Sequence, residues 1–134
     1  MTRFLAAVLL LSAVAAPAAY AADPPKYSPA YDKCMAGPQG QTTMGMIECT
    51  VAEQKVQDAR LNREYQGAMK RMELPRQKAA LQKAQRAWIA FRDADCASYL
   101  DADWGTIARV ETNACVVDRT LQRADELENY RQSH

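Results

Sequence analysis

The clearest hydrophobic pattern in the chain lies over residues 106–130. Apolar residues recur there at steps of three and four, which is the spacing of one buried helix face. The positions on this stripe are Ile107, Val110, Ala114, Val117, Leu121, Ala124 and Leu127. The pattern predicts a helix over about 106–130, beginning just after Gly105.

Two more helices are predicted upstream, and Pro75 separates them because proline favours the first turn of a helix. The helix over about 75–102 has an apolar stripe formed by Leu81, Trp88 and Tyr99, with Ala84 and Phe91 beside it. The helix over about 43–72 has two apolar groups on nearly opposite faces. These groups are Cys49, Ala52, Val56 and Ala59 on one face, and Leu61, Tyr65, Ala68 and Met72 on the other. The sequence leaves open whether this helix bends or packs on different neighbours along its length.

The fold class predicted from these patterns is all-α. After residue 41 there is no alternating strand pattern and no Asn-Gly or Asp-Gly turn. Short connections predict that neighbouring helices run antiparallel, as a bundle of three long helices over 42–134. Residues 22–41 are rich in proline and glycine and predict an extended N-terminal arm ahead of the bundle.

The first 21 residues have the pattern of a secretory signal peptide. Arg3 provides the positive start, an apolar run follows over 4–16, and Ala19-Tyr20-Ala21 matches a small-x-small cleavage site. The run is shorter than the about 20 apolar residues that a membrane-spanning helix needs. We therefore expect a periplasmic or secreted protein with no membrane span after cleavage near Ala21.

Four cysteines follow the predicted cleavage site, and an even number in an exported chain indicates two disulfides. They are Cys34, Cys49, Cys96 and Cys115. Antiparallel helices bring Cys96 level with both Cys115 and Cys49. Two pairings stay open: Cys34–Cys49 with Cys96–Cys115, or Cys49–Cys96 with Cys34–Cys115. We favour the first because each of its bridges is local.

Charge and composition exclude several classes of function. The chain has 17 Lys and Arg against 16 Asp and Glu, a net charge of +1. Binding to nucleic acid or to an anionic membrane requires a basic face that this balance does not predict. The single histidine is His134, at the terminus, and oxidised cysteines are not nucleophiles. We therefore predict a protein that is not an enzyme and needs no cofactor.

One metal-binding alternative comes from the methionines. Met35, Met44 and Met46 lie close together in the sequence, and thioether sulfurs suit Cu(I). Methionine is more commonly a filler of hydrophobic cores, so a copper-binding protein is the weaker prediction and no metal site is assigned.

Polar residues interrupt the apolar stripe of the helix over 75–102. Gln85 and Arg92 fall on the apolar side, and Arg92 lies four residues after Trp88, where the two side chains can stack. A buried guanidinium needs a carboxylate, carbonyls or solvent nearby. Two interpretations stay open: a polar network that fixes the helix register, or a partner-binding patch, since Trp and Arg dominate interface hot spots.

The same stripe carries a sequence signature. Residues 85–96 read QRAWIAFRDADC and resemble the QRAW-x-x-[YF]RD-x-x-C signature of the LprI-type lysozyme inhibitor family. The family motif LN-x-x-Y is matched by Leu61, Asn62 and Tyr65. The resemblance extends over about residues 31–130, nearly all of the predicted mature chain. One departure is Gly45, where many relatives have Glu in a helix-capping box.

Further positions match the closing pattern of the family, C…T…R…L, and these are Cys115, Thr120, Arg123 and Leu127. The resemblance implies a secreted, disulfide-stapled helical module, whose best-attested member is associated with inhibiting lysozyme. The motif positions that it implies are Leu61, Asn62, Tyr65, Gln85, Trp88, Arg92 and Asp93. We expect a protein partner, with lysozyme the leading candidate. The alternative is a cell-envelope interaction or stability module unrelated to lysozyme.

A lysozyme inhibitor must occupy or cover the cleft in which two carboxylates cut the glycosidic bond. The predicted arm offers Lys26, Tyr31 and Lys33, and the loop near 104 offers Trp104. Lysine and hydroxyl donors can reach such carboxylates. The hypothesis is therefore that the arm, together with Trp104, contacts the enzyme, against the simpler alternative that the arm lies along the bundle.

Overall fold

A computed structural model describes residues 26–130, which form α-helices and two short 3-10 turns without strands. The helices are α1 (Pro29–Ala36), α2 (Thr43–Arg71), α3 (Pro75–Ala97) and α4 (Thr106–Glu128), and the 3-10 turns are Pro38–Gln41 and Ala102–Trp104. The all-α prediction and its three long helices are confirmed. The predicted signal peptide and His134 lie outside the described residues.

The three long helices form an up-down-up bundle. Two short turns each reverse the chain, so α3 runs antiparallel to α2 and α4, while α2 and α4 run parallel. The largest interface joins α2 and α4. Arg60 of α2 forms ion pairs there with Asp125 and Glu128 of α4, at 2.6 Å to Glu128.

The main apolar cluster, called the apolar core below, occupies the end of the bundle that contains the α2–α3 turn, while Ala108 and Val117 of α4 are buried toward the other end. The apolar core consists of Leu61, Ala68, Met72, Leu81, Ala124 and Leu127, with Tyr65, Met69, Trp88 and Tyr130 packed against it. Arg71 closes this end by donating a hydrogen bond of 2.6 Å to the carbonyl oxygen of Leu127. The last carbonyls of a helix have no partner within the helix, so Arg71 also completes the end of α4.

The first half of α2 buries a polar face. Ala52, Val56 and Ala59, which the apolar pattern grouped with Cys49, are exposed. The buried positions that follow Cys49 are Thr50, Glu53 and Gln57. The prediction that these residues form a buried apolar face was therefore wrong, because polar groups pack on this part of the helix.

Ser28 covers the polar face of α2. Glu53 is 1% exposed, and its carboxylate accepts hydrogen bonds from the Ser28 N–H (2.9 Å), the Ser28 hydroxyl and the Gln57 amide (2.6 Å). A buried carboxylate is costly unless it is hydrogen-bonded, and these three donors offset that cost. Helix α2 thus packs over its first half on residues 26–41, which we call the N-terminal segment, and over its second half on the apolar core. It therefore has different neighbours along its length.

Residues 22–25 of the predicted arm lie outside the described residues, and the rest of it is not extended as predicted, because two of its prolines begin helical turns. Pro29 opens α1, and the Ser28 hydroxyl caps that helix by accepting the Tyr31 N–H at 3.2 Å. Pro38 opens the first 3-10 turn. Proline lacks the N–H that a first helical turn leaves unused, so the residues that indicated an extended arm begin short helices instead.

Helix α3 ends at Ala97 rather than near residue 102. The Ser98 hydroxyl donates to the Asp95 carbonyl (2.6 Å), and the chain then turns toward α4. As a result Tyr99 lies outside α3 and is 44% exposed, and Ile107, at the start of α4, is equally exposed. Phe91 is 55% exposed. The predicted apolar stripes of α3 and α4 are therefore buried only in part.

Both disulfides lie in the half of the bundle opposite the apolar core. Cys34–Cys49 joins α1 to α2, with 5.8 Å between the Cα atoms, and Cys96–Cys115 joins the end of α3 to α4, with 5.5 Å. The prediction of two disulfides is confirmed, and the pairing is the local one that the sequence favoured. Covalent bonds therefore stabilise the half of the molecule in which α2 buries polar side chains.

Candidate protein-binding surface

Two guanidinium groups lie near the Trp88 ring at the contact of α3 with α4. The Arg92 guanidinium carbon is 5.3 Å from the centroid of the indole ring, and that of Arg123, from α4, is 5.9 Å away. Both distances allow cation–π attraction. The indole also packs against the apolar core, so Trp88 joins that core to the polar side chains between the two helices.

Arg92 and Gln85 form hydrogen bonds within the protein. The Arg92 side chain is 12% exposed and donates to the Thr120 hydroxyl (3.0 Å) and to the Asp93 carboxylate (2.8 Å). Gln85 is buried and accepts a hydrogen bond from Arg123 (3.1 Å). These bonds use the polar groups that a partner would need. The geometry supports the interpretation of this face as a network that fixes the register of α3 on α4.

The N-terminal segment lies along the bundle. The Tyr27 hydroxyl donates to the Asp118 carboxylate of α4, and the Tyr27 and Tyr31 rings are 4.8 Å apart. Burial raises the pKa of Tyr27 above its ordinary value, and the hydrogen bond to Asp118 raises it further. Lys26 and Lys33 are exposed and Tyr31 is half-buried. This placement supports the simpler alternative for the arm, although both lysines still face solvent.

Four large apolar side chains are exposed around the α3–α4 turn. We call them the apolar tip: Tyr99 (44% exposed), Leu100 (60%), Trp104 (60%) and Ile107 (44%). Sequence reasoning proposed Trp104 alone, because the helical pattern assigned Tyr99 and Ile107 to buried stripes. The two aspartates and the glycine over 101–105 were the signal that α3 ends earlier and leaves these residues in a turn.

The turn that carries the apolar tip is constrained by a disulfide, a side-chain hydrogen bond and a glycine conformation. The Cys96–Cys115 disulfide ties the end of α3 to α4. The Asp101 carboxylate accepts the Asp103 N–H at 2.8 Å and so begins the second 3-10 turn. Gly105, with φ +60°, occupies the left-handed region that favours glycine. The tip is thus attached to a constrained backbone.

A depression lies beside Tyr99 of the apolar tip. Its volume is about 210 Å³, and it is lined by Tyr99, Cys115, Asp118, Arg119 and Gln122. Asp118 in its wall also accepts the hydrogen bond from Tyr27. The tertiary structure therefore brings the tip and the N-terminal segment to one side of the molecule, although they are far apart in sequence.

One cluster within residues 26–130 has the side-chain types of a metal site. Ligand atoms of Asp95, Cys96 and Cys115 lie within 4.8 Å of one another. The two sulfurs are bonded to each other as a disulfide, whereas metal ligation requires thiolates. This cluster therefore stabilises the turn and gives no support to a metal centre.

Comparison with known families identifies the fold just described. The family model for the lysozyme inhibitor LprI matches residues 34–127. The chain belongs to the LprI family. The match begins at Cys34 and includes all four cysteines and the Trp88 network. No curated protein and no solved structure matches the chain. Among the helices over 26–130, none has the length and apolar character needed to cross a membrane.

Most positions of the LprI motif serve the fold. Leu61 is buried in the apolar core, Tyr65 packs against that core, and Gln85 and Arg92 join α3 to α4. Asn62 and Asp93 are exposed, and the Asp93 carboxylate pairs with Arg92. The apolar tip lies inside the matched range but outside the motif. The exposed apolar side chains of the tip are therefore not motif residues, whereas the candidates Gln85, Trp88 and Arg92 are.

Proposed function

We propose that this chain is an exported lysozyme inhibitor that acts by binding the enzyme. The family match over residues 34–127 carries this proposal. Two disulfides fit a protein that folds outside the cytoplasm. The predicted signal peptide would deliver the chain to the periplasm or the exterior, where a lysozyme reaches the cell wall.

The structure suits inhibition by steric blocking. Lysozyme cleaves its glycan with two carboxylates in an open cleft, so a protein that fills or covers the cleft prevents the substrate from entering. This chain presents exposed apolar side chains on a backbone braced by a disulfide. A constrained surface loses little conformational entropy on binding. More of the free energy gained by burying those side chains therefore contributes to affinity.

The proposal is tested by the lysis of a bacterial cell-wall suspension, with residue 22 taken as the start of the mature protein. Several lysozymes of different structural types are assayed with increasing concentrations of the oxidised protein. We expect saturable inhibition of at least one type, because a binding inhibitor titrates the enzyme. The same protein after reduction of both disulfides is the matched control, and it should inhibit less.

Absence of inhibition for every lysozyme type, with helical circular dichroism intact, would contradict the proposal. The chain would then remain an LprI family member with a different role in the cell envelope. Isolation of its partner from a periplasmic extract would become the next experiment.

A further inference from the structure

The charged side chains of this protein are separated along its length. Residues 65–92, which form the end of α2, the α2–α3 turn and most of α3, contain seven basic residues and one acidic residue, Glu73. Residues 93–118, which form the end of α3, the apolar tip and the first part of α4, contain six acidic residues and one basic residue, Arg109. Net charge, from which no basic face was predicted, does not show this separation.

Five basic side chains follow the α2–α3 turn and the outside of α3, and we call them the basic edge. All are exposed except one that is half-buried, and they are Lys70, Arg76, Lys78, Lys83 and Arg86. Arg76, Lys83 and Arg86 are separated by seven and three residues, which places them on one face of α3. That face is opposite Leu81 and Gln85, which are buried. The basic edge therefore faces away from the rest of the bundle.

The basic edge is not neutralised by ion pairs. None of its five side chains forms an ion pair within residues 26–130. Three acidic residues near the end of α4 lie at the same end of the bundle, but they pair with Arg60 and Arg123. Glu73 is the one acidic residue in the stretch that contains the edge. The positive charges of the edge therefore remain available to an anionic partner.

The shape and composition of the basic edge fit an extended anionic surface. The edge lies on the outside of a helix and a turn, whereas small-molecule sites are concave. Leu74 is 37% exposed in the turn, and an apolar side chain close to basic ones suits the interface of a lipid bilayer. Residues 73–87 contain no aromatic side chain on which the bases of a single-stranded nucleic acid could stack. These features favour anionic phospholipid over nucleic acid.

We propose that the basic edge binds the protein to a bilayer surface that contains anionic phospholipid. The Lys and Arg side chains contact the headgroup phosphates, and Leu74 enters the interface. The same surface repels the acidic residues at the other end of the molecule, so the apolar tip points away from the bilayer. This inference does not rest on lysozyme inhibition, because membrane binding is measured without the enzyme.

Binding to vesicles is the first test. The oxidised mature protein is mixed with vesicles of phosphatidylcholine and phosphatidylglycerol in equal parts, or of phosphatidylcholine alone, at about 0.1 M salt. We expect partitioning onto the anionic vesicles to be stronger by at least about 30-fold. Binding should be lost near 1 M salt, where the Debye length is about 3 Å. Equal partitioning onto the two kinds of vesicle, or none onto either, would overturn the inference.

Two matched variants separate the basic edge from net charge. Lys83→Gln/Arg86→Gln should weaken partitioning onto the anionic vesicles by about 30-fold, because each Lys or Arg near such a surface contributes about fivefold. Lys26→Gln/Lys33→Gln removes the same charge from exposed positions of the N-terminal segment. It should change partitioning by less than about threefold, because charges beyond the Debye length of about 10 Å are screened.

Circular dichroism and thermal unfolding check that both variants keep the wild-type fold. An equal loss in the two variants would show that net charge alone controls the binding, and it would overturn the assignment to the basic edge.

Tryptophan fluorescence tests the orientation on the bilayer. Trp104, in the apolar tip, is 60% exposed, and its quenching by acrylamide should stay the same when the protein binds anionic vesicles. In the variant Leu74→Trp, the introduced indole should show a shift of its emission to shorter wavelength on binding. Protection of Trp104 without a shift in Leu74→Trp would place the apolar tip on the bilayer and overturn the inference.

Two controls without vesicles identify the class of partner. Single-stranded DNA should bind at least about tenfold more weakly than anionic vesicles do. Equal affinity, with the same loss in Lys83→Gln/Arg86→Gln, would make the edge a nucleic-acid site instead. Sedimentation velocity should show a monomer. A salt-sensitive association that the same variant abolishes would assign the edge to the acidic end of a second copy and would also overturn the membrane assignment.

Discussion

At the scale of single residues, Arg92 shows how a cation can lie on an apolar helix face. Its guanidinium stacks on Trp88, donates to Thr120 across the helix interface and pairs with Asp93. The Asp93 carboxylate is 58% exposed, so solvent weakens this ion pair and it contributes little stability. Arg92 also pairs with Asp58 of α2 at 3.7 Å, and that carboxylate is 43% exposed. We therefore expect the stacking and the hydrogen bond to buried Thr120 to contribute more stability than either ion pair.

We expect Arg92→Ala to lower the free energy of unfolding by about 1–3 kcal/mol, through lost packing on Trp88 and the lost hydrogen bond. The free energy of unfolding of Arg92→Lys should lie between those of the wild type and Arg92→Ala, because lysine keeps the charge but lacks the planar guanidinium group. Denaturant unfolding measures these differences. Arg86→Ala, at an exposed position of the same helix, is the control and should stay within about 0.5 kcal/mol. An Arg92→Ala protein as stable as this control would contradict the account.

Tyr27 provides a pH-dependent test of the N-terminal segment. Its pKa is raised above the ordinary value of 10.0 in the folded state, first by burial and then by Asp118. The folded protein therefore holds this proton more tightly than the unfolded chain does. The stabilisation is complete below the pKa of an unfolded tyrosine and is lost as pH rises through the folded-state pKa.

We expect the stability difference between wild type and Tyr27→Phe to shrink as pH rises above about 10. Phenylalanine keeps the ring and removes the ionisable hydroxyl, so subtraction of the two curves cancels the other titrating groups. Urea unfolding of both proteins at several pH values between 8 and 11 measures this stability difference. A difference that is constant over this range would show that Tyr27 has no raised pKa.

At the scale of secondary-structure elements, the start of α2 depends on a close backbone contact. Gly45 is buried in the first turn of α2, and a Cβ atom there would collide with the Gln39 carbonyl oxygen. The Thr42 hydroxyl still accepts the Gly45 N–H at 3.1 Å. Glycine at position 45 therefore has a physical reason, since it lets the first 3-10 turn pack directly on the helix.

A pair of glycine substitutions in α2 tests this contact. Gly45→Ala should destabilise the protein by about 2 kcal/mol, because the methyl group meets backbone that cannot move aside cheaply. Gly67→Ala should instead stabilise it by about 0.5–1 kcal/mol, the usual gain in a helix interior. A Cβ at position 67 would meet only a flexible Arg71 side-chain nitrogen at 3.3 Å. Equal effects of the two changes in thermal unfolding would contradict the close-contact explanation.

At the scale of the whole molecule, the two ends of the bundle are stabilised in different ways, one by apolar packing and the other by disulfides. The end with the α2–α3 turn has the apolar core. The other half has both disulfides and the buried polar side chains of Thr50, Glu53 and Gln57. A small domain with a limited core commonly relies on such covalent links. The apolar tip belongs to the half that the disulfides stabilise.

Removal of either disulfide should cost about 3 kcal/mol of stability in the chain-entropy model. The sequence separations of 15 for Cys34–Cys49 and 19 for Cys96–Cys115 are similar, so the two costs should be close. Paired Cys→Ala variants, compared by denaturant unfolding, measure each one. Only Cys96→Ala/Cys115→Ala should also weaken inhibition strongly, because that bridge holds the tip. A loss of less than about 1 kcal/mol in the free energy of unfolding for both pairs would contradict the conclusion that the disulfides stabilise this half of the molecule.

Several features of this protein follow from the sequence alone. The three-and-four spacing of apolar residues and the scarcity of helix breakers after residue 41 determine the long helices, because helical periodicity is local. Pro75 and Gly105 mark where α3 and α4 begin. The even number of cysteines predicts two disulfides, and the QRAW-containing run indicates the family.

Only the tertiary structure decided which faces are buried. A periodic pattern gives the spacing of a face but does not show what packs on it. The pattern therefore predicts that Ala52 and Val56 are buried, whereas in the structure they are exposed and Glu53 is buried. Ser28, 25 residues away, makes that burial possible by donating to the carboxylate. In the same way, Tyr99 and Ile107 continue apolar stripes but stay exposed, because α3 ends at Ala97 before Tyr99 is reached and Ile107 lies in the first turn of α4. Burial depends on contacts between distant parts of the chain, and the same contacts determine which apolar residues remain exposed for a partner.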